Sequence, residues 1–226
     1  MAIHRPKPHQ FSFHSQLEEV CKLFPRLKVI RTHQGNYLAG TIEIFDETGD
    51  IFDEFQIEIH NSQKYPYRFP KLYEVGEKIP HSQEWHVYVT DSGPKKSCCI
   101  TVKPIETITC KNGISVIKFI NTEVLPYLYK QAYRLRYGYY PGKEFGHGLH
   151  GLWEYYGELF ETTNREETLK HISLYGKKLH KKSHCYCGSD RKFRLCHPDT
   201  YHSLKTIPKE MLIDHINKLS ANNKIF

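Results

Sequence analysis

Apolar positions near the start of the chain recur at intervals of three and four: Leu17, Val20, Cys21 and Phe24 follow Ser15-Gln-Leu-Glu18, and Pro25 ends the run. A hydroxyl residue followed three positions later by Glu has the form of a capping box, so the pattern predicts an amphipathic helix opening at Ser15. The period then changes to two. Residues 27–33, 37–45 and 51–60 read as strands, and in the third Ile51, Phe55, Ile57 and Ile59 share one face while Glu54, Gln56 and Glu58 share the other. Gln34-Gly35-Asn36 and Glu47-Thr48-Gly49-Asp50 carry the residues of tight turns, which joins these strands as an antiparallel meander.

The prolines of Tyr65-Pro-Tyr-Arg-Phe-Pro70 favour extended backbone and lack the N–H that a central strand needs, so this segment reads as a connection to a short strand at about 71–75. Residues 76–113 show no sustained period. Loops of that length inside a domain usually carry function, and this one holds His81, His86 and the pair Cys98-Cys99. Helical spacing returns in Val116, Phe119, Ile120 and Val124, and continues through Leu125, Leu128 and Ala132 with a kink expected at Pro126. It is clearest in Leu149, Leu152, Trp153, Tyr156, Leu159 and Phe160.

Asn164 is placed to cap a further helix running to about Gly176, and Lys177, Lys178, Lys181 and Lys182 read as a solvated hinge. A last helix opens at Pro208 and carries Leu212, Ile213, Ile216 and Leu219. Helix, antiparallel strands, long loop, then helices is the order of an α+β fold. The expected division is a domain over residues 1–162 and a helical tail over 163–226.

With 39% hydrophobic and 25% charged residues, the composition is that of a folded chain rather than a disordered one. No run approaches the roughly 18 to 20 apolar residues of a membrane helix. Met1-Ala-Ile-His-Arg-Pro-Lys-Pro8 has no apolar stretch of the secretory kind, so a cytoplasmic location is the expectation. The net charge of +7 suits nucleic acid or an acidic protein without selecting either, and much of the excess lies near residues 177–194. Many of the 16 tyrosines fall at helical spacing and read as core, which makes nucleic-acid stacking the weaker reading. Seven cysteines, clustered rather than spread, do not form the pattern of a disulfide framework; metal binding and thiol chemistry fit better.

One cluster is specific. Cys185-Tyr-Cys187-Gly-Ser-Asp-Arg-Lys-Phe-Arg-Leu-Cys196-His197 sets two pairs of metal-ligating side chains eight residues apart, a donor set suited to a closed tetrahedral zinc site. Gly188 permits a tight reversal after the first pair, and a segment so polar and basic has little core in which to hide free thiols. The run closely resembles the SEC-C motif, a short zinc-binding element. Cys185, Cys187, Cys196 and His197 fall on its ligand positions, and Gly188, Ser189, Lys192 and Phe193 match its interior. That resemblance implies a structural Zn2+ and an accessory module that contacts protein or nucleic acid; His184 is a weaker substitute ligand.

Cys98-Cys99 follows Gly93-Pro-Lys-Lys-Ser97 and precedes Ile100-Thr-Val102. From residue type alone, such a pair is as readily buried packing as reactive thiol, although Lys95 and Lys96 supply positive charge that favours a thiolate. The order of elements together with Tyr65-Pro66 through Pro70, Ile79-Pro80 leading to His86-Val87, and Ser97-Cys98-Cys99-Ile100 resembles the ubiquitin-conjugating enzyme fold. The resemblance is to its divergent bacterial forms, and Gly142-Lys-Glu-Phe-Gly-His147-Gly with Gly151-Leu-Trp-Glu-Tyr-Tyr156 resembles their C-terminal part. It covers about residues 10–160.

What that resemblance implies is concrete. Cys99 falls on the catalytic cysteine, Cys98 on the apolar residue before it, and His86 on a histidine that mainly shapes the loop. Tyr88 stands where the family has an asparagine that steadies the oxyanion; a phenol can donate, but with different reach. Cys99 would accept the C-terminal acyl group of a ubiquitin-like or other C-terminally activated protein from an activating enzyme, as a thioester, and pass it to an acceptor protein. The bacterial relatives are encoded beside activating-enzyme and deubiquitinase-like genes in antiviral defence islands. A catalytically silent adaptor of the same fold, recruiting protein or nucleic acid through the zinc motif, is the alternative.

Overall fold

The first helix, α1 (Phe13–Leu23), buries Phe13, Gln16, Leu17 and Val20, a stripe on one helical face. It begins earlier than the capping-box reading: Ser12 is the N-cap, and Ser15 lies in the first turn with its hydroxyl donating to the Ser12 carbonyl at 2.9 Å. The Phe13 side chain belongs to the core and draws its residue into the helix. The computed structural model describes residues 12–90 and 93–223.

Four strands follow, β1 (Leu27–Ile30), β2 (Tyr37–Phe45), β3 (Ile51–His60) and β4 (Lys71–Glu74), paired antiparallel in the order β1-β2-β3-β4. The expected strand over 27–33 is shorter because pairing with β2 stops at Ile30 and Tyr37, where the chain turns. Gly40 faces Leu27 with φ at +145°, and a Cβ there would lie 2.1 Å from the Arg26 carbonyl oxygen. In β3, Phe55, Ile57 and Ile59 enter the core as the alternation predicts. Ile51 does not: a register shift between Ile44 and Phe45 ends the regular ladder and leaves it exposed. Glu58, on the opposite face, is buried, and it accepts Lys95 Nζ on both oxygens at 2.7 Å with His60 Nε2 at 2.7 Å. Burial works to raise its carboxyl pKa, but those partners outweigh it and hold the group below its usual range.

Within the stretch that lacked periodicity, a short helix α2 (Lys103–Thr109) forms, which the apolar pattern was too brief to reveal. The predicted kink near Pro126 takes a particular form. After α3 (Val116–Phe119), the chain makes a wide turn over Ile120–Val124 in which the Leu125 N–H reaches back to the Ile120 carbonyl, and α4 (Leu125–Tyr137) then starts. Pro126 thus sits in the first turn of α4, where no N–H is required. Phe119, Ile120, Val124, Leu128 and Ala132 join the core of α1 and the sheet.

The chain divides into two units: residues up to Thr101 with Thr109–Glu144, and Val102–Ile108 with Phe145 onward. The division falls after Glu144 where the sequence pattern placed it near residue 162, because α5 (Gly148–Leu159) shares its core with the helices that follow. Leu152, Trp153 and Tyr156 of α5 cluster with Ile172 and Tyr175 of α6 (Arg165–Lys178), Leu204 of α8 (Pro198–Thr206), and Leu212 and Leu219 of α9 (Lys209–Asn223). Asn164 caps α6 as predicted, accepting from the Glu166 and Glu167 N–H groups at 2.9 and 3.3 Å. That helix runs through Gly176 to Lys178, so Lys177 and Lys178 are helical rather than a hinge. In α9 the inner face differs by one position from the apolar reading: Ile213 is exposed, and His215 turns inward to meet the Tyr156 hydroxyl at 2.8 Å.

Candidate functional site

A single 3-10 turn, Gln83–Trp85, delivers His86 in a left-handed conformation, φ 53° and ψ 46°. That backbone state is uncommon for a residue with a side chain and persists only where its surroundings hold it. Helix α4, with Tyr140 just beyond its end, does so by taking each carbonyl of the turn's end. Arg134 and the Tyr140 hydroxyl donate to Glu84 O, the latter at 3.3 Å; Gln131 Nε2 donates to Trp85 O at 3.1 Å; and the Tyr127 hydroxyl donates to His86 O at 3.1 Å. The Arg134 guanidinium lies 4.2 Å from the Trp85 ring centroid and 4.7 Å from that of Tyr140, a cation–π sandwich that fixes the same segment.

The cysteine pair reaches His86 by extending the sheet beyond β4. Ser97 bridges Tyr73, Cys98 bridges Val87, and the Cys98 N–H donates to Leu72 O at 2.8 Å. Extended backbone sends consecutive side chains to opposite sides. Cys98 is accordingly buried in the core, where desolvation pushes its thiol up to about 12, while Cys99 is half-buried. The Cys99 N–H donates to His86 O at 2.7 Å, and the Cys99 Sγ and a His86 ring nitrogen lie within 4.8 Å of one another. Glu144 Oε2 is 3.8 Å from Nε2 of the same imidazole, and Lys130 pairs with Oε1 of that carboxylate.

The structure therefore brings Cys99 and His86 together and separates Cys98 from them. Tyr88 is next to His86 and Val87 in the chain, its N–H donating to Ser97 O at 2.9 Å, and its side chain is exposed. Lys95, read from the sequence as a source of charge for the thiol, is engaged with Glu58. Glu144 lies in the run Gly142-Lys-Glu-Phe-Gly-His147-Gly, to which the sequence reading gave no part in the site. It lies 45 positions beyond Cys99 in an aperiodic stretch, and only the fold brings it near His86.

The second site is a hairpin closed by one helical turn. His184 bridges Lys192, the Cys185 N–H donates to Arg191 O at 2.9 Å, and Gly188 takes φ +74° at the reversal. Phe193, fully buried against Tyr175 at 4.4 Å between ring centroids, opens α7 (Phe193–Cys196), whose turn carries Cys196 and His197 back over the hairpin. Cys185 Sγ is 3.0 Å from His197 Nδ1, Cys187 Sγ is 3.4 Å from Cys185 Sγ and 3.6 Å from Cys196 Sγ, and all four ligand atoms lie within 4.8 Å of one another. Two thiolates on a tetrahedral zinc are separated by about 3.8 Å, from Zn–S bonds of about 2.3 Å, so this cluster is close to the spacing a metal ion needs. Ser189 Oγ lies 3.2 Å from Cys187 Sγ, and the Ser189 hydroxyl and N–H lower that thiol to about 7; burial raises Cys185 to about 11. The four residues predicted as ligands converge and can hold a metal ion, while His184 contributes backbone pairing to the hairpin.

No protein-family model, curated protein or solved structure matches this chain. Among the described residues, no helix is long and apolar enough to cross a membrane.

Proposed function

We propose that the chain is a ubiquitin-conjugating-enzyme-like acyl carrier, with Cys99 as its nucleophile and a zinc knuckle that recruits a partner. One observation carries the reading: of two adjacent cysteines, one is sealed in the core and the other is half-buried beside a histidine locked in an uncommon backbone state. Uncommon backbone states held by their surroundings cluster at functional sites. The helix, antiparallel meander and loop order of the first unit is consistent with the fold that the sequence resemblance implies.

In this reading Cys99 takes the C-terminal acyl group of a ubiquitin-like protein from an activating enzyme, thiol replacing thiol, and yields it to an acceptor amine or thiol. Binding and orientation of the partners supply much of the rate. Cys185, Cys187, Cys196 and His197 would hold one Zn2+, which would supply structural cross-linking at that site. A catalytically silent adaptor is the second reading, favoured by Tyr88 standing exposed where a conjugating enzyme has its oxyanion-steadying asparagine.

The test is incubation with a ubiquitin-type activating enzyme and its modifier, with ATP. A reductant-sensitive adduct is expected on the wild type and on Cys98→Ala, and not on Cys99→Ala. An adduct that persists in Cys99→Ala moves the chemistry elsewhere; its absence throughout leaves the adaptor.

A further inference from the structure

Two distances around one imidazole define a relation that neither the sequence nor the resemblance supplies. A ring nitrogen of His86 is within 4.8 Å of the Cys99 sulfur, and Nε2 is 3.8 Å from Glu144 Oε2. Nucleophile, base and a carboxylate that steadies the base form a recurrent logic of thiol chemistry, and such groups commonly stand somewhat apart until substrate binds. The histidine is held through its backbone. Its carbonyl accepts from the Cys99 N–H and the Tyr127 hydroxyl, and the turn before it is gripped by Gln131, Arg134 and Tyr140, so the ring has a fixed origin from which to face both partners. Glu144 is itself half-buried, and its other oxygen is ion-paired to Lys130.

We propose that His86 acts as the base for Cys99 and that Glu144 is the positioning residue that stabilises the imidazolium. The proposal builds on the reading of Cys99 as nucleophile. In the step it describes, the Cys99 S–H bond breaks and its proton passes to the imidazole, while the electron pair stays on sulfur and attacks the thioester carbonyl carbon of the incoming acyl group. The donor's thiolate leaves and takes the proton back from the imidazolium, so that one thiol and one thioester replace one thiol and one thioester. Lys130 has an opposing part. Its ammonium shares the Glu144 carboxylate and so draws on the same negative charge that favours imidazolium.

The experiment needs no partner protein. Iodoacetamide is reacted with the full chain at pH 7 and the alkylation rate of Cys99 is read by tandem mass spectrometry, which separates it from Cys98. Asn tolerates a left-handed backbone, so His86→Asn removes the ring while keeping the turn. It is expected to slow Cys99 by about tenfold or more, because the thiolate is the reactive form. Glu144→Gln is expected to slow it about threefold to tenfold, and Glu144→Asp to return it to within about twofold of wild type. Lys130→Met leaves the rate unchanged or raises it. An ion pair that merely braces the fold would make Glu144→Gln and Lys130→Met slow alike, and that result overturns the proposal, as does a wild-type rate in His86→Asn and Glu144→Gln. Should His86→Asn fail to fold, the Glu144 and Lys130 variants decide. If the alkylation pattern holds but no adduct forms with an activating enzyme, the carrier reading falls and the proton relay stands; an adduct on Cys99 with unaltered alkylation does the reverse.

Discussion

Cys99 donates its backbone N–H to the carbonyl oxygen of His86 at 2.7 Å, so the nucleophile candidate and the histidine beside it are joined through the main chain, independently of either side chain. Substitutions at the sulfur or the ring therefore leave the loop connection in place. What holds the other end of that connection is α4.

The Tyr127 hydroxyl, buried, donates to the same His86 carbonyl at 3.1 Å. Tyr127→Phe keeps the ring and removes that bond, and the carbonyl retains its Cys99 partner. The expected cost is about 1 to 2 kcal/mol, read as a lower urea midpoint with an unchanged slope. A loss no larger than that of an exposed control such as Tyr137→Phe would show that α4 does not secure the loop.

Removal of metal should act on the second unit. Elemental analysis of the purified chain is expected to find about one zinc per molecule, lost when Cys185 and Cys187 are both changed to Ser. Because Phe193 lies in the core of that unit, loss of the ion should release α7 and lower hydrogen-exchange protection in α6 and α8, with the sheet of the first unit unchanged. Stoichiometric zinc in the double variant would mean the ion sits elsewhere.

Acid should weaken the second unit through His215. Burial lowers its pKa below 6.5, and its Nδ1 sits 2.8 Å from the buried Tyr156 hydroxyl. The unfolded chain binds a proton at the ordinary value while the folded one resists it. The stability tied to neutral His215 is therefore complete above 6.5 and is lost as pH falls from there toward the lower folded value. His171 shifts in the same direction for the same reason. Hydrogen-exchange protection in α5 and α9, referred to the intrinsic amide rate at each pH, should fall between pH 6.5 and about 5, above the carboxylate range. His215→Asn, whose amide can still meet Tyr156, should reduce that dependence; an identical slope in the variant would remove His215 as the cause.

Gly40 is the one position where β2 cannot carry a side chain. A Cβ would lie 2.1 Å from the Arg26 carbonyl oxygen, and φ is +145°. Gly40→Ala should destabilise the first unit by about 2 kcal/mol or more, by forcing the β1–β2 approach apart and straining the backbone. Thermal unfolding within a degree or two of the wild type would contradict it.

Where local order repeats, the sequence by itself was enough. Alternation in β3 identified Phe55, Ile57 and Ile59 as core, spacing of three and four identified α4 and α5, Asn164 identified a helix start, and the pairs Cys185, Cys187 and Cys196, His197 identified a ligand set, because each is a property of neighbours in the chain. Other features depend on residues far apart. Ile51 lies outside the core because β2 and β3 slip in register, and His215 is inside because Tyr156, nearly sixty residues earlier, has a hydroxyl to satisfy. The distinction between Cys98 and Cys99 arises from an extension of the sheet past β4, and the approach of Glu144 to His86 joins residues far apart in the chain. Long-range geometry of this kind leaves no periodic mark, since the energy that fixes it comes from contacts made only once the chain has closed on itself.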